Sequence, residues 1–371
     1  MKNIIFLTAF FIPFLATAQL KFSGYASQQI GVEHNPFNNP SSYVFDKPED
    51  EEEGFLELTP TSVLSRSKIY IHVRQKDKNA TFGLRPKLTY DYFPSLENTN
   101  HLRGALEQYF NFKINKKWKM YERFSFVTNQ RSGDAVDEDI FIIPRSYERW
   151  QGGMGAIFKI NRTWSVDVGA NFLKNNFLTE DELNYYKAFS VEGKLQGKFK
   201  KSNVVRRMEI SSEWQQRNWF RGMEGEEDWE ETATSMQYWQ ARWSADIMAT
   251  EKLEWSPFLK AAGRNSERTS QNWWSLQAGF STSWSTEDVS LKWSTSVAHR
   301  LHPDLKPANN EALKYVYFRN KITAEYLLKE NWSLLLIVQH TQRFSSFKEE
   351  TSMAFRSYRN AYAGLGLKVR F

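Results

Sequence analysis

The fold is decided by residues 356–371, which read RSYRNAYAGLGLKVRF. Counting back from Phe371, every second residue is apolar as far as Ala361. The residues between them are glycine, polar or cationic, and they include Lys368 and Arg370. Because successive side chains of a strand point to opposite faces, this pattern predicts a β-strand with one apolar face and one polar face.

The same alternation recurs along the whole chain and predicts about sixteen strands, an even number, as single-chain bacterial barrels require. The predicted strands lie near residues 20–32, 66–74, 80–93, 105–114, 118–128, 146–160, 164–173, 186–199, 204–217, 236–249, 254–263, 273–284, 289–300, 315–328, 332–343 and 356–371.

The predicted connections alternate between short and long. The short ones are residues 75–79, 115–117, 161–163, 200–203, 250–253, 285–288 and 329–331. The long ones fall between them and include residues 34–65, 130–145, 218–235 and 301–314. Tight periplasmic turns and long extracellular loops are typical of a transmembrane barrel. The sequence therefore predicts an all-β protein that consists of a single antiparallel up-and-down transmembrane β-barrel.

Tryptophan residues begin several of the strands that follow short connections. Trp118, Trp164 and Trp332 each stand directly after such a turn. The indole ring prefers the headgroup level of a membrane, where its ring is half-buried and its N–H stays in contact with water. These residues predict an aromatic girdle at the periplasmic edge of the barrel.

Glu122 breaks the alternation. It shares the parity of Trp118, Met120 and Phe124, which form the apolar face of their strand. A charge that faces the middle of a bilayer is costly. We therefore expect a bulge, a covered position or a misread strand at Glu122 rather than a carboxylate that faces lipid.

The C-terminal strand, with its apolar face and its final Phe371, resembles the closing strand of Gram-negative outer-membrane β-barrel proteins. The resemblance implies that the terminus is an assembly signal, which the barrel-assembly machinery reads. It also implies contact with outer-membrane lipid and lipopolysaccharide. The resemblance covers the mature chain but rests on a pattern, and it identifies no particular porin, export-channel or receptor family.

The N-terminal residues predict export. Lys2 precedes an apolar run over residues 4–15, and small residues at positions 16–18 form a cleavage site after Ala18. We therefore predict a signal peptide over residues 1–18 and a mature barrel over residues 19–371. The chain has no cysteine, which excludes disulfides and lipid attachment through an N-terminal cysteine.

The composition fits a barrel better than a helical membrane protein. The mean hydropathy is −0.61, so no transmembrane helix is expected, yet aromatic residues make up 16% of the chain. A transmembrane barrel reconciles these values because half of each strand faces water and aromatic residues crowd both interfaces. The alternative is an exported soluble all-β protein, such as a sandwich or a propeller.

Catalytic and cofactor motifs are missing from the sequence. It contains no glycine-rich phosphate loop and no zinc-ligand spacing, so we predict no cofactor, no metal centre and no catalytic residues. His299 and His340 share the parity of the lipid-facing set, and no hydrolase motif surrounds them. The pI of 9.1 does not indicate nucleic acid, because an exported barrel would not meet it.

The cations of the inward parity carry the functional prediction. The candidates for the pore lining are Lys292, Arg319, Lys321, Arg242, Lys194 and Lys87, of which the first four lie nearest the middle of their strands. Rings of one charge concentrate the opposite ion in a narrow pore. We therefore predict a passive, mildly anion-preferring channel for small polar or anionic solutes or oligosaccharides.

Two other interpretations remain at this point. In the first, the mid-strand cations pair with Glu325, Asp246 and Glu213 across strands, and these pairs fill a closed barrel. In the second, the barrel is a non-conducting scaffold of a secretion, assembly or polysaccharide-export complex, and it binds protein partners through its extracellular loops.

Overall fold

The computed structural model describes residues 20–35, 42–45, 54–57, 61–95, 100–131, 134–136, 142–144, 146–178, 182–199, 204–223, 234–306, 311–346 and 357–371. The predicted signal peptide and cleavage site lie outside these residues. Within them, no helix is long and apolar enough to cross a membrane.

The alternating segments form twenty strands among the described residues. They are β1 (Leu20–His34), β2 (Ser42–Phe45), β3 (Gly54–Glu57), β4 (Thr61–Lys76), β5 (Ala80–Tyr92), β6 (His101–Lys113), β7 (Trp118–Arg131), β8 (Asp134–Val136), β9 (Ile142–Pro144), β10 (Tyr147–Lys159), β11 (Trp164–Phe177), β12 (Glu182–Lys198), β13 (Val205–Met223), β14 (Thr234–Thr250), β15 (Leu253–Ser266), β16 (Trp273–Ser285), β17 (Val289–His302), β18 (Leu313–Lys329), β19 (Trp332–Ser345) and β20 (Tyr358–Arg370).

Sixteen of these strands close into one antiparallel barrel, in which each strand pairs with its neighbours along the chain. The other four form the hairpins β2–β3 and β8–β9 within two of the long connections. Tracing the paired residues once around the barrel returns to β1 about 20 residues along the strand, a stagger that accompanies strongly tilted strands. The predicted all-β, sixteen-stranded up-and-down transmembrane barrel is confirmed.

The barrel closes between the first and the last strand. β1 pairs with β20 from Tyr25 opposite Arg370 to His34 opposite Ala361. Phe371 continues this ladder, since its carbonyl accepts from the Gly24 N–H at 2.8 Å and its own N–H donates to the Gly24 carbonyl at 3.1 Å. An added Cβ at Gly24 would clash first with the backbone carbonyl oxygen of Tyr70 and would also stand 2.7 Å from Cε2 of the Phe371 ring. Glycine is therefore required under the terminal ring.

Contacts that skip a strand identify the inner face. Tyr121 on β7 donates to Asp167 on β11 at 2.8 Å, although β10 lies between them. Lys368 on β20 reaches Glu325 on β18 across β19, at 3.0 Å. Such contacts are possible only on the concave side of a curved sheet, so this parity lines the interior. The opposite parity forms an apolar outer belt, on which Phe172 is 64% exposed.

The strands differ from the predicted ones chiefly at the end that carries the long connections. β13 continues to Met223 and β15 to Ser266, whereas the alternation ends at residues 217 and 263. β6 begins at His101 rather than at residue 105. The outward residues there mix polar and apolar side chains, such as Asn218 and Phe220 on β13, so the sequence pattern fades while the hydrogen-bonded ladder continues. The hairpins β2–β3 and β8–β9 were not predicted either.

The expectation for Glu122 was wrong. It pairs in regular register with Phe110 on β6 and with Met154 on β10, and neither ladder shows a bulge at this position. Its side chain is exposed on the outer face of the barrel. Glu122 is therefore a carboxylate within the apolar belt, and the exposed Trp118 lies four residues from it towards the turn end of the same strand.

Candidate functional site

The two ends of the barrel differ in the length of the connections between strands. The turn end carries the short connections, such as Asp77–Asn79 and Glu251–Lys252, together with Leu20 and Phe371. The loop end carries the long ones. The side chains of the inner face fall into a group near the middle of the strands and a second group near the loop end.

The first group consists of six cations of the inner face, and we call them the mid-barrel cations: Lys68, Lys87, Arg242, Lys260, Lys292 and Lys321. Five of them lie near the middle of their strands, but Lys292 is the fourth residue of β17 and lies nearer the turn end, so its predicted mid-strand position was wrong. Arg85 and Arg123 lie at a similar depth to the five and stack on Tyr109 and Tyr121. Four of the mid-barrel cations, Lys87, Arg242, Lys292 and Lys321, are exposed, and the other two are half-buried.

Lys68 on β4 faces charges of both signs across the inner wall. Arg66, Lys321 on β18 and Lys87 on β5 repel its ammonium group, whereas Asp91 attracts it. Three strands, β1, β20 and β19, lie between β4 and β18 along the sheet. Curvature of the wall therefore brings these positive charges towards one another.

Of the three acids predicted to neutralise the mid-barrel cations, two have other cationic partners, and the third, Glu213, accepts from Gln240 at 2.5 Å in a cavity that it shares with Arg242 and Lys260. Glu325 is bound by Lys368 at 3.0 Å and also by Arg370. Asp246 lies 3.9 Å from Arg207 and accepts from Ser256. Within the described residues, no ion pair joins Lys292, Lys321 or Arg242 to a carboxylate.

The remaining candidates differ from one another. Lys194 forms an ion pair with Asp167 at 3.4 Å, so its charge is locally balanced. Arg242 lies over the ring of Phe258, with its guanidinium carbon 4.5 Å from the ring centroid. Arg319 lies nearer the loop end, where its guanidinium carbon is 5.4 Å from the centroid of Tyr317.

A cavity opens in the inner wall beside Arg242. It has a volume of about 360 Å³ and mixes both signs of charge. Its lining includes Arg123, Glu192, Glu209, Glu213, Arg242 and Lys260. The carboxylates here moderate the positive potential of the mid-barrel cations on this side of the lumen.

The second group is a series of arginines stacked on aromatic rings near the loop end, which we call the arginine–aromatic belt. Its arginines are Arg66, Arg149, Arg217, Arg264, Arg300, Arg319 and Arg343. The rings beneath them are those of Tyr362, Tyr147, Tyr186, Tyr238, Trp273, Tyr317, Tyr315 and Tyr358.

The stacks of the belt are close and several of their members are buried. The guanidinium carbon of Arg300 lies 4.1 Å from the Trp273 ring, and that of Arg343 lies 4.7 Å from both Tyr315 and Tyr358. Both guanidinium groups belong to residues that are almost fully buried, with 8% and 4% exposure. Guanidinium groups stack well on aromatic faces because they are planar and weakly hydrated. The belt therefore holds fixed positive charge.

Two arginines of the belt are also held by hydrogen bonds. Arg264 is completely buried, and its Nε donates to the Gln271 carbonyl at 2.6 Å. Arg66 forms a bidentate pair with Asp91 at 2.6 and 2.8 Å.

Sequence reasoning missed this belt except for Arg319. The local signal is an arginine two residues from an inward aromatic, as in Tyr147-Glu-Arg149 or Tyr317-Phe-Arg319. Several of these residues lie where the alternation fades, beyond or at the predicted strand ends. Arg217 stacks on Tyr186 and Tyr238, which belong to the two neighbouring strands, so no pattern within its own strand indicates the contact.

Metal ligands do not cluster in the part of the chain that the structure describes. It contains no group of three or more histidine, cysteine, aspartate or glutamate side chains arranged to hold a metal ion.

The fold and the inner wall define a sixteen-stranded transmembrane β-barrel with a cationic interior. No family model matches the sequence, and no curated protein matches it either. The fold is similar to the outer membrane channel DcaP of Acinetobacter baumannii, with a TM-score of 0.51 and 10% identity over 96% of this chain and 98% of that chain. A bacterial polysaccharide outer membrane secretin has a TM-score of 0.44 and 7% identity, over 93% and 98% of the two chains. At this identity the likeness concerns the fold alone.

Proposed function

We propose that the protein is a passive, mildly anion-preferring outer-membrane channel for small polar or anionic solutes or oligosaccharides. The observation that carries the proposal is the set of exposed inner-face cations Lys87, Arg242, Lys292 and Lys321, which form no ion pair with a carboxylate within the described residues. A sixteen-stranded barrel is wide enough to leave an aqueous lumen. Like charges on its wall concentrate anions and repel cations.

Two features limit the preference to a mild one. Lys194, Lys368 and Arg370 are balanced by carboxylates, so they add little to the field in the lumen. The cavity beside Arg242 also contains Glu192, among other acids, which attracts cations. Water in the lumen and mobile salt screen the charges that remain.

The ion preference is tested by the reversal potential of the refolded protein in a planar bilayer under a potassium chloride gradient. We expect the wild type to favour chloride by roughly twofold to threefold, because its exposed cations are only partly screened. The variant Lys68→Gln/Lys87→Gln/Lys321→Gln should bring the ratio close to unity. Cation preference in the wild type would overturn the proposal, and the absence of any conductance would favour a scaffold.

A matched control removes three positive charges at the turn end. Lys116 and Lys117 lie in one exposed turn, and Arg162 lies exposed in the next. Their replacement by glutamine changes the net charge equally but should leave the reversal potential within error of the wild type. Equal shifts in both triple variants would show that net charge, rather than the mid-barrel cations, sets the preference.

We also propose that residues 1–18 are removed on export and that the mature barrel resides in the outer membrane. The closed hydrogen-bonded ladder supports resistance to detergent, because it leaves no edge strand open to attack. The mature protein should therefore start at Gln19, sediment with outer membranes and migrate differently on gels before and after boiling. A protein recovered from the periplasm would contradict this location.

Phe371 is proposed as the assembly signal, which the barrel-assembly machinery reads. Its support is the position of the ring, which lies exposed on the outer face against Gly24 and completes the ladder between β1 and β20. Phe371→Asp should lower the amount of folded protein in the membrane far more than Phe371→Tyr, because an aromatic ring fits the interface. Equal membrane levels of the two variants would refute the assignment.

A further inference from the structure

Two lysines of the outer face stand directly opposite each other. Lys174 on β11 is the register partner of Lys187 on β12, and both side chains are exposed. Like charges that face each other across an antiparallel pair destabilise the sheet. Within the described residues, neither ammonium group forms an ion pair with a carboxylate. The arrangement therefore calls for an anion from outside the chain.

Aromatic rings bring the two ammonium groups to one place. Tyr185 on β12 and Phe220 on β13 are stacked, with their ring centroids 4.8 Å apart. Lys174 Nζ lies 5.2 Å from the Tyr185 centroid, whereas Lys187 Nζ lies 5.6 Å from Tyr185 and 5.2 Å from Phe220. These cation–π contacts direct both groups towards the same platform, although the charges repel each other.

The depth of the lysines points to lipid headgroups. Next to them towards the middle of the barrel are Phe172 and Phe189, whose rings pack 5.0 Å apart on the outer face. Trp150 is the other register partner of Lys174 and belongs to the same outer face. Aromatic residues mark the interface, where lysine side chains extend their charged ends to the headgroups. The lysines lie at the loop end of this apolar surface.

We propose that Lys174 and Lys187 together bind a phosphate group of a lipid in the outer leaflet. A phosphate between the two ammonium groups accepts charge-assisted hydrogen bonds from both and removes their repulsion. The lysines lie on the outer face, so the phosphate comes from the surrounding membrane and not from a solute in the lumen. This inference depends on the membrane location of the barrel and not on its conduction.

The proposal is tested by native mass spectrometry of the purified barrel after incubation with bisphosphorylated lipid A. The variant Lys174→Gln/Lys187→Gln should retain roughly tenfold less lipid A than the wild type, because both basic groups at the membrane surface are removed. The variant Lys174→Arg/Lys187→Arg should retain lipid A. The matched control Lys116→Gln/Lys117→Gln removes two exposed lysines at the turn end and should bind as the wild type does.

The arms of the experiment distinguish phosphate recognition from other causes. Dephosphorylated lipid A should bind the wild type and the Lys174→Gln/Lys187→Gln variant equally weakly. Retention that is equal in all four proteins, or independent of the phosphates, would overturn the proposal. Displacement of lipid A by millimolar inorganic phosphate would also overturn it, because the site would then select the ion rather than the lipid. Differential gel mobility before and after boiling verifies that each variant is folded.

Discussion

The arginine–aromatic belt and the mid-barrel cations belong to the same inner wall and carry the same sign of charge, yet most of their members differ in exposure and in the group that carries the charge. Arg264 and Arg343 of the belt are buried, and their guanidinium groups lie over aromatic rings. Lys321 and Lys87 near the middle of the barrel are exposed, and Arg242, which lies over Phe258, is the one arginine of the mid-barrel group.

The difference shows that inward charge has two separate roles in this barrel. Arginine keeps its charge and stacks through a planar group, so it suits positions where the wall must be rigid. Lysine is a strongly hydrated point charge on a flexible stem, so it suits positions where the charge must remain available to ions. We infer that the belt shapes the loop end of the lumen, whereas the mid-barrel cations set its potential.

The largest difference between the two regions is expected when one charge is deleted from each of them and the free energy of unfolding is compared. Arg264→Ala should reduce the free energy of unfolding by about 3 kcal/mol, because a buried charged hydrogen bond to the Gln271 carbonyl is lost. Lys321→Ala should change it by less than about 0.5 kcal/mol, as exposed substitutions usually do. Urea titration monitored by tryptophan fluorescence in detergent micelles measures both. Equal losses would show that the two regions have the same structural role.

An exchange of arginine and lysine tests whether the shape of the cation matters. Arg343→Lys should destabilise the barrel by about 1 kcal/mol, because an ammonium group cannot stack between Tyr315 and Tyr358 as a planar guanidinium does. Lys321→Arg should leave both the stability and the reversal potential unchanged. If Arg343→Lys were as stable as the wild type, charge alone would explain the belt.

Glu122 offers a third environment, with neither the water of the lumen nor a stacking ring. Because Glu122 lies on the outer face, Glu122→Leu should stabilise the barrel by about 1 kcal/mol in bilayers, since a carboxylate on the lipid face is costly. Reversible folding into phosphatidylcholine vesicles measures the change, with Glu122→Gln as the near-isosteric control. A loss of stability in both variants would instead show that Glu122 contacts a partner on the outer face.

The smallest expected effect is that of salt. Raising the ionic strength from about 0.1 M to 1 M shortens the screening length from about 10 Å to 3 Å. The chloride preference that we propose for the mid-barrel cations should therefore fall towards unity. The free energy of unfolding should respond little, because the stacked arginines are shielded from mobile ions. Reversal potentials and urea titrations at both salt concentrations test this, and a preference unchanged by salt would place its origin in the belt.

The sequence alone predicts most of each barrel strand, the approximate number of these strands and the faces of their residues, but not the hairpins β2–β3 and β8–β9. This was possible because alternation is a local property that the membrane imposes on every strand, as in Val166, Val168 and Ala170. The short connections likewise identified the turn end. Glu122 shows where the alternation misleads: a single charge on the apolar parity predicted an irregular strand, but the hydrogen-bonded ladder is regular there.

Which charged side chains of the inner face interact with one another depends on the tertiary structure. Lys68 and Lys321 are distant in sequence and three strands lie between them, so their proximity depends on the curvature of the closed wall. The stacking of Arg217 between Tyr186 and Tyr238 depends on the register of β12, β13 and β14. Near the loop end the outer face mixes polar and apolar residues, such as Asn218 and Phe220, so the two-residue period weakens in the sequence. There the fold rests on hydrogen bonds between strands and on stacked side chains, which a local pattern does not record.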